Sequence, residues 1–176
     1  MFDKFSDAGR AVLCEAYRVS LEFKSKETRT DHTLLALTCE PGLPSQALTS
    51  MNVRPENLRK ELEHQLLASS SREITPVRLE TASVELDQIP FAADCKVAIR
   101  RAGQLRLFFV HKRTEPEHLL LAMLDLADER VFSLLDEIGA NTTYLYRLLV
   151  SRAADRDSLQ PDIPGLRKTI IDGLEE

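Results

Sequence analysis

The sequence predicts an all-α protein made of two copies of one four-helix unit, and three observations carry that prediction. The composition has no Trp, only 6 Gly and 43% apolar residues, with Ala, Leu, Glu and Arg prominent, which favours helix over sheet. Apolar residues recur at helical spacing, as in Ala8, Val12, Ala16, Val19 and Phe23. The chain also resembles itself: an offset of 86 residues aligns Phe5–Leu37 with Phe91–Met123 without a gap. Identities under that offset include Phe5/Phe91, Ala16/Ala102, Phe23/Phe109, Thr28/Thr114, His32/His118, Leu34/Leu120 and Leu35/Leu121. One extra residue in the second copy shifts the offset to 87, and Leu48/Leu135, Leu58/Leu145 and Leu62/Leu149 then continue the match.

Each copy reads as a long first helix, whose stripe in the second copy is Ala98, Ala102, Leu105 and Phe109. The second helix is expected to open on a Thr-x-x-acid capping box, Thr28 to Asp31 and Thr114 to Glu117, worth about 1 kcal/mol. A short third helix falls at 45–51 and 131–138, the latter stopped by Gly139. The fourth begins near Pro55, a favoured first-turn residue, and near Thr142. The organisation is then repeat 1 at 1–67, a partly extended connector at 68–88, repeat 2 at 89–151 and a tail at 152–176. In the tail Leu166, Ile170 and Leu174 keep helical spacing after Pro161 and Pro164, as in a docking helix or an unstructured end.

A chain of 176 residues is long enough to bury a real core. A formal charge of −5 gives no general attraction to nucleic acid. Cys14, Cys39 and Cys95 lack the spacing of a disulfide framework or zinc site, which fits reduced thiols in a cytosol-like compartment. No apolar run approaches the roughly 20 residues that span a bilayer, and the N-terminus lacks a signal-peptide core. There is no G-x-x-x-x-G-K-[ST] loop, and no nucleophile with a paired base in a recognisable context. Neither a cofactor nor a metal is expected. His32 and His118, without a Cys or His at ligand spacing, read as packing or capping residues.

Met1–Ser6, the long helix, Thr30–Leu37 and its echo Glu117–Met123 together resemble the Clp N-terminal repeat domain, most closely the ClpC/ClpA type. The resemblance covers roughly residues 1–150. It implies two four-helix repeats related by a pseudo-twofold and, with no AAA+ module in the sequence, a stand-alone accessory or adaptor-like protein. Its implied partners are Clp ATPases, their adaptors or their substrates, in the cytoplasm or a plastid stroma. An N-domain fragment of a full ClpC-type ATPase is the other reading of the same resemblance. It further implies a phosphoarginine pocket in each repeat, built from a hydroxyl and an acid: Ser6 with Asp31, and Ala92 with Glu117. Ala92 lacks the hydroxyl and Asp31 is one methylene shorter than the usual Glu, so both pockets are expected to be impaired, the second more so.

A different function class rests on Lys96, Arg100, Arg101, Arg106, Lys112 and Arg113, which cluster in sequence with Phe108, Phe109 and His111 as a nucleic-acid surface would. Lys96 and Arg100 fall opposite the apolar stripe, where charges normally sit in water, so Lys96, Arg100 and Arg101 read first as a solvated face and next as a docking face for an acidic protein.

Overall fold

The computed structural model describes residues 2–69 and 85–155, and the expected connector and tail lie largely outside them. Two sets of four helices follow one another. The first is α1 (Asp7–Glu22), α2 (Thr30–Cys39), α3 (Leu43–Ser50) and α4 (Pro55–Ser69). The second is α5 (Ala93–Phe108), α6 (Pro116–Asp125), α7 (Glu129–Glu137) and α8 (Thr142–Asp155). Short 3-10 turns at Phe2–Lys4 and Leu86–Gln88 precede each set. The last helix continues four residues past the expected boundary at 151, and its Ala153 is buried.

Helices α2 and α6 form the centre. Every residue of 30–38 and of 116–124 is buried, because each helix is surrounded and neither presents a polar face to water. Around them the packing follows a pseudo-twofold: α1 lies on α2 as α5 lies on α6, and across the axis α3 meets α8 as α7 meets α4. Each short third helix therefore packs on the other repeat's fourth. Leu34, Leu35 and Leu37 with Leu119, Leu120 and Leu121 are at most 1% exposed, each contributing about 2 kcal/mol of burial.

The segments before the helices cross between repeats. Phe5 bridges in parallel to Thr114, and Thr28 bridges to Phe91. Thr114 N–H donates to Lys4 O at 2.7 Å and Ser6 N–H to Thr114 O at 3.1 Å; Thr28 N–H donates to Pro90 O at 2.8 Å and Ala92 N–H to Thr28 O at 2.9 Å. Each repeat thus lends its leading arm to its twin.

That exchange corrects two expectations. Thr28 and Thr114 do not cap the second helices; they are buried bridge residues, and the helices start two residues later. The residue three positions in is then the histidine, whose Nδ1 accepts from the cap backbone: Arg29 N–H to His32 at 3.1 Å and Glu115 N–H to His118 at 2.8 Å. The first-helix stripe also differs. Ala8 is exposed and Gly9 turns inward with Val12, Leu13, Ala16 and Val19. A Cβ on Gly9 would stand 2.7 Å from the carbonyl oxygen of Thr114, so only glycine lets the arm from the second repeat close against α1.

Helix ends repeat the symmetry. Lys24, Asn52, Val110, Ala127 and Gly139 all have positive φ, and all follow a helix whose last carbonyls they help satisfy. Ser25 N–H to Ser20 O and His111 N–H to Arg106 O, 2.8 and 2.9 Å, are the paired bonds that close α1 and α5. Gly139 ends α7 at φ 77, as its spacing predicts.

Two stability measurements test this reading. Gly9→Ala, normally favourable in a helix, is expected to lower the unfolding free energy by about 2 kcal/mol in denaturant titration, because the clashing atom is backbone. Gly139→Ala has open space around the new methyl, so conformational strain alone should lower stability, by about 1 kcal/mol, whereas Ala127→Gly should raise it.

Candidate functional site

The crossing arms bring helix N-termini from both repeats together at two related places. At the first, Ser6 caps α1, its Oγ accepting from Gly9 N–H at 3.0 Å, and donates to Glu115 Oε2 at 2.6 Å at the start of α6. Glu117, in the first turn of α6, is buried at 2% exposure, and Arg113 reaches back to the carbonyls of Asp3 and Phe5 at 3.4 Å. At this place the Glu115 carboxylate meets the Ser6 hydroxyl, while the Arg113 guanidinium reaches the arm that carries Ser6.

The second place is the approach of Ala92, the N-cap of α5, to Thr28 and Arg29 ahead of α2. Ala92 offers no side-chain cap. Asp31 is 4% exposed and held by its own neighbour: Arg29 Nε lies 3.2 Å from Oδ1 and Nη2 lies 2.7 Å from Oδ2, a two-pronged guanidinium–carboxylate pair. Here a cleft of about 720 Å³ opens between the repeats, bordered by Glu27, Arg29, Ala92, Asp94, Asp128 and Arg130. Thr30 Oγ1 donates to Asp128 Oδ1 at 2.9 Å, and Arg130 Nε pairs with Asp94 Oδ2 at 3.3 Å, so its walls carry both signs of charge.

The expected pairing within each repeat is therefore exchanged. Ser6 stands at the entrance to α6, the helix bearing Glu117, and Ala92 stands at the entrance to α2, the helix bearing Asp31. The arms cross, so hydroxyl and acid positions of opposite repeats face each other. Arg29 and Glu115, which occupy equivalent positions at the offset of 86, went unnoticed in the sequence; their opposite charges make the two places chemically unlike.

The histidines differ as well. Because His118 Nδ1 accepts from Glu115 N–H, its proton sits on Nε2, 2.9 Å from His111 Nδ1; the His111 Nε2 proton then points at Ala153 O, 3.2 Å away. A spacing of seven is no ligand spacing along the chain, but the left-handed turn at Val110 brings His111 back over His118. The second repeat thus ties α6 to the end of α8. In the first repeat Ser25 stands at the corresponding position, and His32 Nε2 is buried without a partner. Burial pushes the His32 imidazole down to about 4, against the nearby Asp31 carboxylate, which favours the charged form.

The basic cluster is dispersed by the fold. Lys96 and Arg100 face solvent one turn apart, but Arg101 Nε pairs with Asp125 at 2.6 Å and Arg106 binds the carbonyls of His111 and Lys112. Phe109 packs on the core and His111 is buried, so neither is available to stack on a base. Cys95 is buried 3.6 Å from Thr33 Oγ1, and burial pushes its thiol up to about 12. Among the described residues no group of three His, Cys, Asp or Glu is placed to hold a metal ion, and no helix is long and apolar enough to cross a membrane.

The fold is thus a doubled four-helix repeat with one cleft lined by residues of both halves. Residues 4–138 match the model of the Clp repeat (R) N-terminal domain, and the chain belongs to that family, the interaction modules of Clp chaperones. Similar solved structures include the N-terminal domain of the caseinolytic protease-associated chaperone ClpD from Arabidopsis thaliana, at 18% identity and TM-score 0.69, covering 86% of this chain and 96% of that one. The Hsp104 N-terminal domain from Candida albicans is similar at 15% identity and TM-score 0.62, covering 86% and 93%. At these identities the likeness is one of fold. No curated protein matches the sequence.

Acid titration tests the buried imidazole. Below about pH 6.5 an unfolded chain protonates His32 while the folded one stays neutral until about 4, so the unfolded state binds more protons and stability falls as pH drops through that window, by about 3 kcal/mol in full. His32→Asn, whose amide oxygen can still accept from Arg29 N–H, is expected to shrink the stability difference between neutral and mildly acidic buffer by about 2 kcal/mol. An unchanged difference would assign the acid sensitivity to the carboxylates.

Proposed function

We propose that this domain binds protein segments in the groove between its repeats and serves a Clp chaperone-protease system as an accessory or adaptor-like factor, engaging a Clp subunit, an adaptor or a substrate. The observation that carries this reading is the cleft at the N-termini of α2, α5 and α7, where Arg29, Asp94, Asp128 and Arg130 offer polar partners from both repeats. The free thiols Cys14, Cys39 and Cys95 suit a reducing compartment, the cytoplasm or a plastid stroma. Lys96 and Arg100 add a face for an acidic protein surface, with Arg101 held beside it by Asp125.

Of the positions Ser6, Asp31, Ala92 and Glu117, the Ser6 place at the start of α6 suits a cationic arginine side chain better than its phosphorylated form, and the Ala92 place suits neither. At Ser6 the hydroxyl that would meet a phosphate already serves the Glu115 carboxylate, which repels an anion. Ala92 itself offers no hydroxyl, and the Asp31 carboxylate that would meet a guanidinium is held by Arg29. Calorimetric titration with an arginine-containing adaptor peptide and separately with phosphoarginine tests this. The peptide should bind and lose affinity in Glu117→Ala, phosphoarginine should bind weakly at best, and Glu115→Gln should strengthen the latter about tenfold by removing one repelling charge. Silence with the peptide, with a Clp N-domain and with its adaptor would sink the interaction reading.

A further inference from the structure

We infer that the outer face of α5 is a second docking surface, for an amphipathic helix of another protein that carries apolar residues on one stripe and carboxylates beside it. The inference rests on the interaction reading above and adds the chemistry of one partner to it. Leu107, Phe108 and Val110 are 63%, 44% and 54% exposed, and among the described side chains every exposed large apolar residue belongs to the second repeat. The fold does not require them. At the offset of 86 the same positions hold Leu21, which is half-buried, Glu22, which pairs with Arg59 at 2.7 Å, and Lys24, which is solvated. Val110 has φ 60, a left-handed conformation that costs a β-branched residue most, whereas its unbranched twin Lys24 closes α1 at φ 51.

Gly103 points the same way. It lies in the middle of α5, where glycine destabilises a helix relative to alanine, yet a Cβ there would meet no atom within 4 Å. No packing inside the described chain explains the missing side chain. Its twin in the first repeat is Tyr17, which packs against the core. Arg100, Gly103, Gln104, Leu107 and Phe108 fall at helical spacings of three and four, so the bare backbone of Gly103 lies within a strip about 12 Å long at helical rise. A strip of that shape, with a point of close approach, suits a second helix laid along it. A bilayer would engage only its tip, and nucleic acid would gain nothing from Leu107 and Val110.

Charge selects the partner. No Asp or Glu occurs between Asp94 and Glu115, and exposed Arg100 and Lys112 stand at the two ends of the strip, in a chain whose formal charge is −5. On α1, by contrast, Glu15 and Glu22 pair with Arg18 and Arg59. The helix that fits α5 therefore brings the carboxylates itself. Three apolar side chains offer on the order of a few hundred Å², below the ~1,200 Å² of a stable interface, so the contact is weak, with Kd on the order of 100 µM.

Amide NMR of the full chain, titrated with a synthetic helical peptide of two heptads bearing Leu at the a and d positions and Glu at e and g, tests the surface. Shifts are expected at Gly103, Leu107, Phe108 and Val110. Gly103→Leu favours the helix but fills the strip, and should weaken binding about tenfold. Phe108→Glu, which installs the residue of the first repeat, should do the same, and a peptide with Lys in place of Glu should bind about tenfold more weakly than the acidic one. Both protein variants should still bind the arginine-containing peptide at the Ser6 place, so failure here with success there removes this surface alone. Shifts confined to other elements, an affinity indifferent to both substitutions, or no response to the acidic peptide would overturn the proposal. Sedimentation with anionic vesicles or a gel shift with random duplex, lost in Phe108→Glu while the peptide stays silent, would equally do so, giving the face to a bilayer or to nucleic acid.

Discussion

The two parallel bridges, Phe5 with Thr114 and Thr28 with Phe91, set how the halves of this molecule meet. Each is only a pair of backbone hydrogen bonds, yet each lies at the mouth of a central helix and fixes where that helix begins. With Thr28 and Thr114 committed to the bridges, α2 and α6 start two residues later, and the histidines inherit the capping role. The same crossing explains Gly9, whose missing side chain lets the Thr114 carbonyl approach α1, and it places hydroxyl and acid positions of opposite repeats together. The third and fourth helices obey the same exchange, α3 on α8 and α7 on α4.

Within that shared frame the repeats have diverged in charge. Arg29 and Glu115 occupy one position of the repeat, and a single exchange of sign gives one helix entrance an internal ion pair and the other a carboxylate bonded to the Ser6 hydroxyl. Divergence also reaches the core. The second repeat links His118, His111 and the end of α8, while the first leaves His32 Nε2 buried and unpaired. Burying a neutral imidazole there is tolerable at neutral pH, and the surrounding leucines supply far more than the one lost hydrogen bond, about 1 kcal/mol, takes away.

Much of the architecture was legible because helical periodicity and turn chemistry are local. Gly139 marked the end of α7, Pro55 and Thr142 the starts of α4 and α8, and the offset of 86 exposed the duplication. Local patterns misled where a tertiary partner outbid them. The Thr-x-x-acid boxes were sound cap signals, but the twin repeat's arm takes the backbone of those threonines. Ala8 fitted the apolar stripe, yet the helix turns Gly9 inward to receive Thr114. The basic run looked like one surface, although Arg101 pairs with Asp125, Arg106 binds backbone at its own helix end and Arg113 reaches the other repeat's arm.

By itself the sequence determined that this protein is helical and doubled, since both follow from residue spacing along one chain, and its motifs carried the resemblance to the Clp repeat. Only the tertiary structure decided which side chains face one another across the pseudo-twofold. Ser6 meeting Glu115, Ala92 meeting the approach to α2, and His111 meeting His118 and Ala153 depend on hydrogen bonds between residues far apart in sequence or brought back by a left-handed turn. Periodicity reports which face of a helix is buried. It carries no information about which partner's backbone will be waiting there.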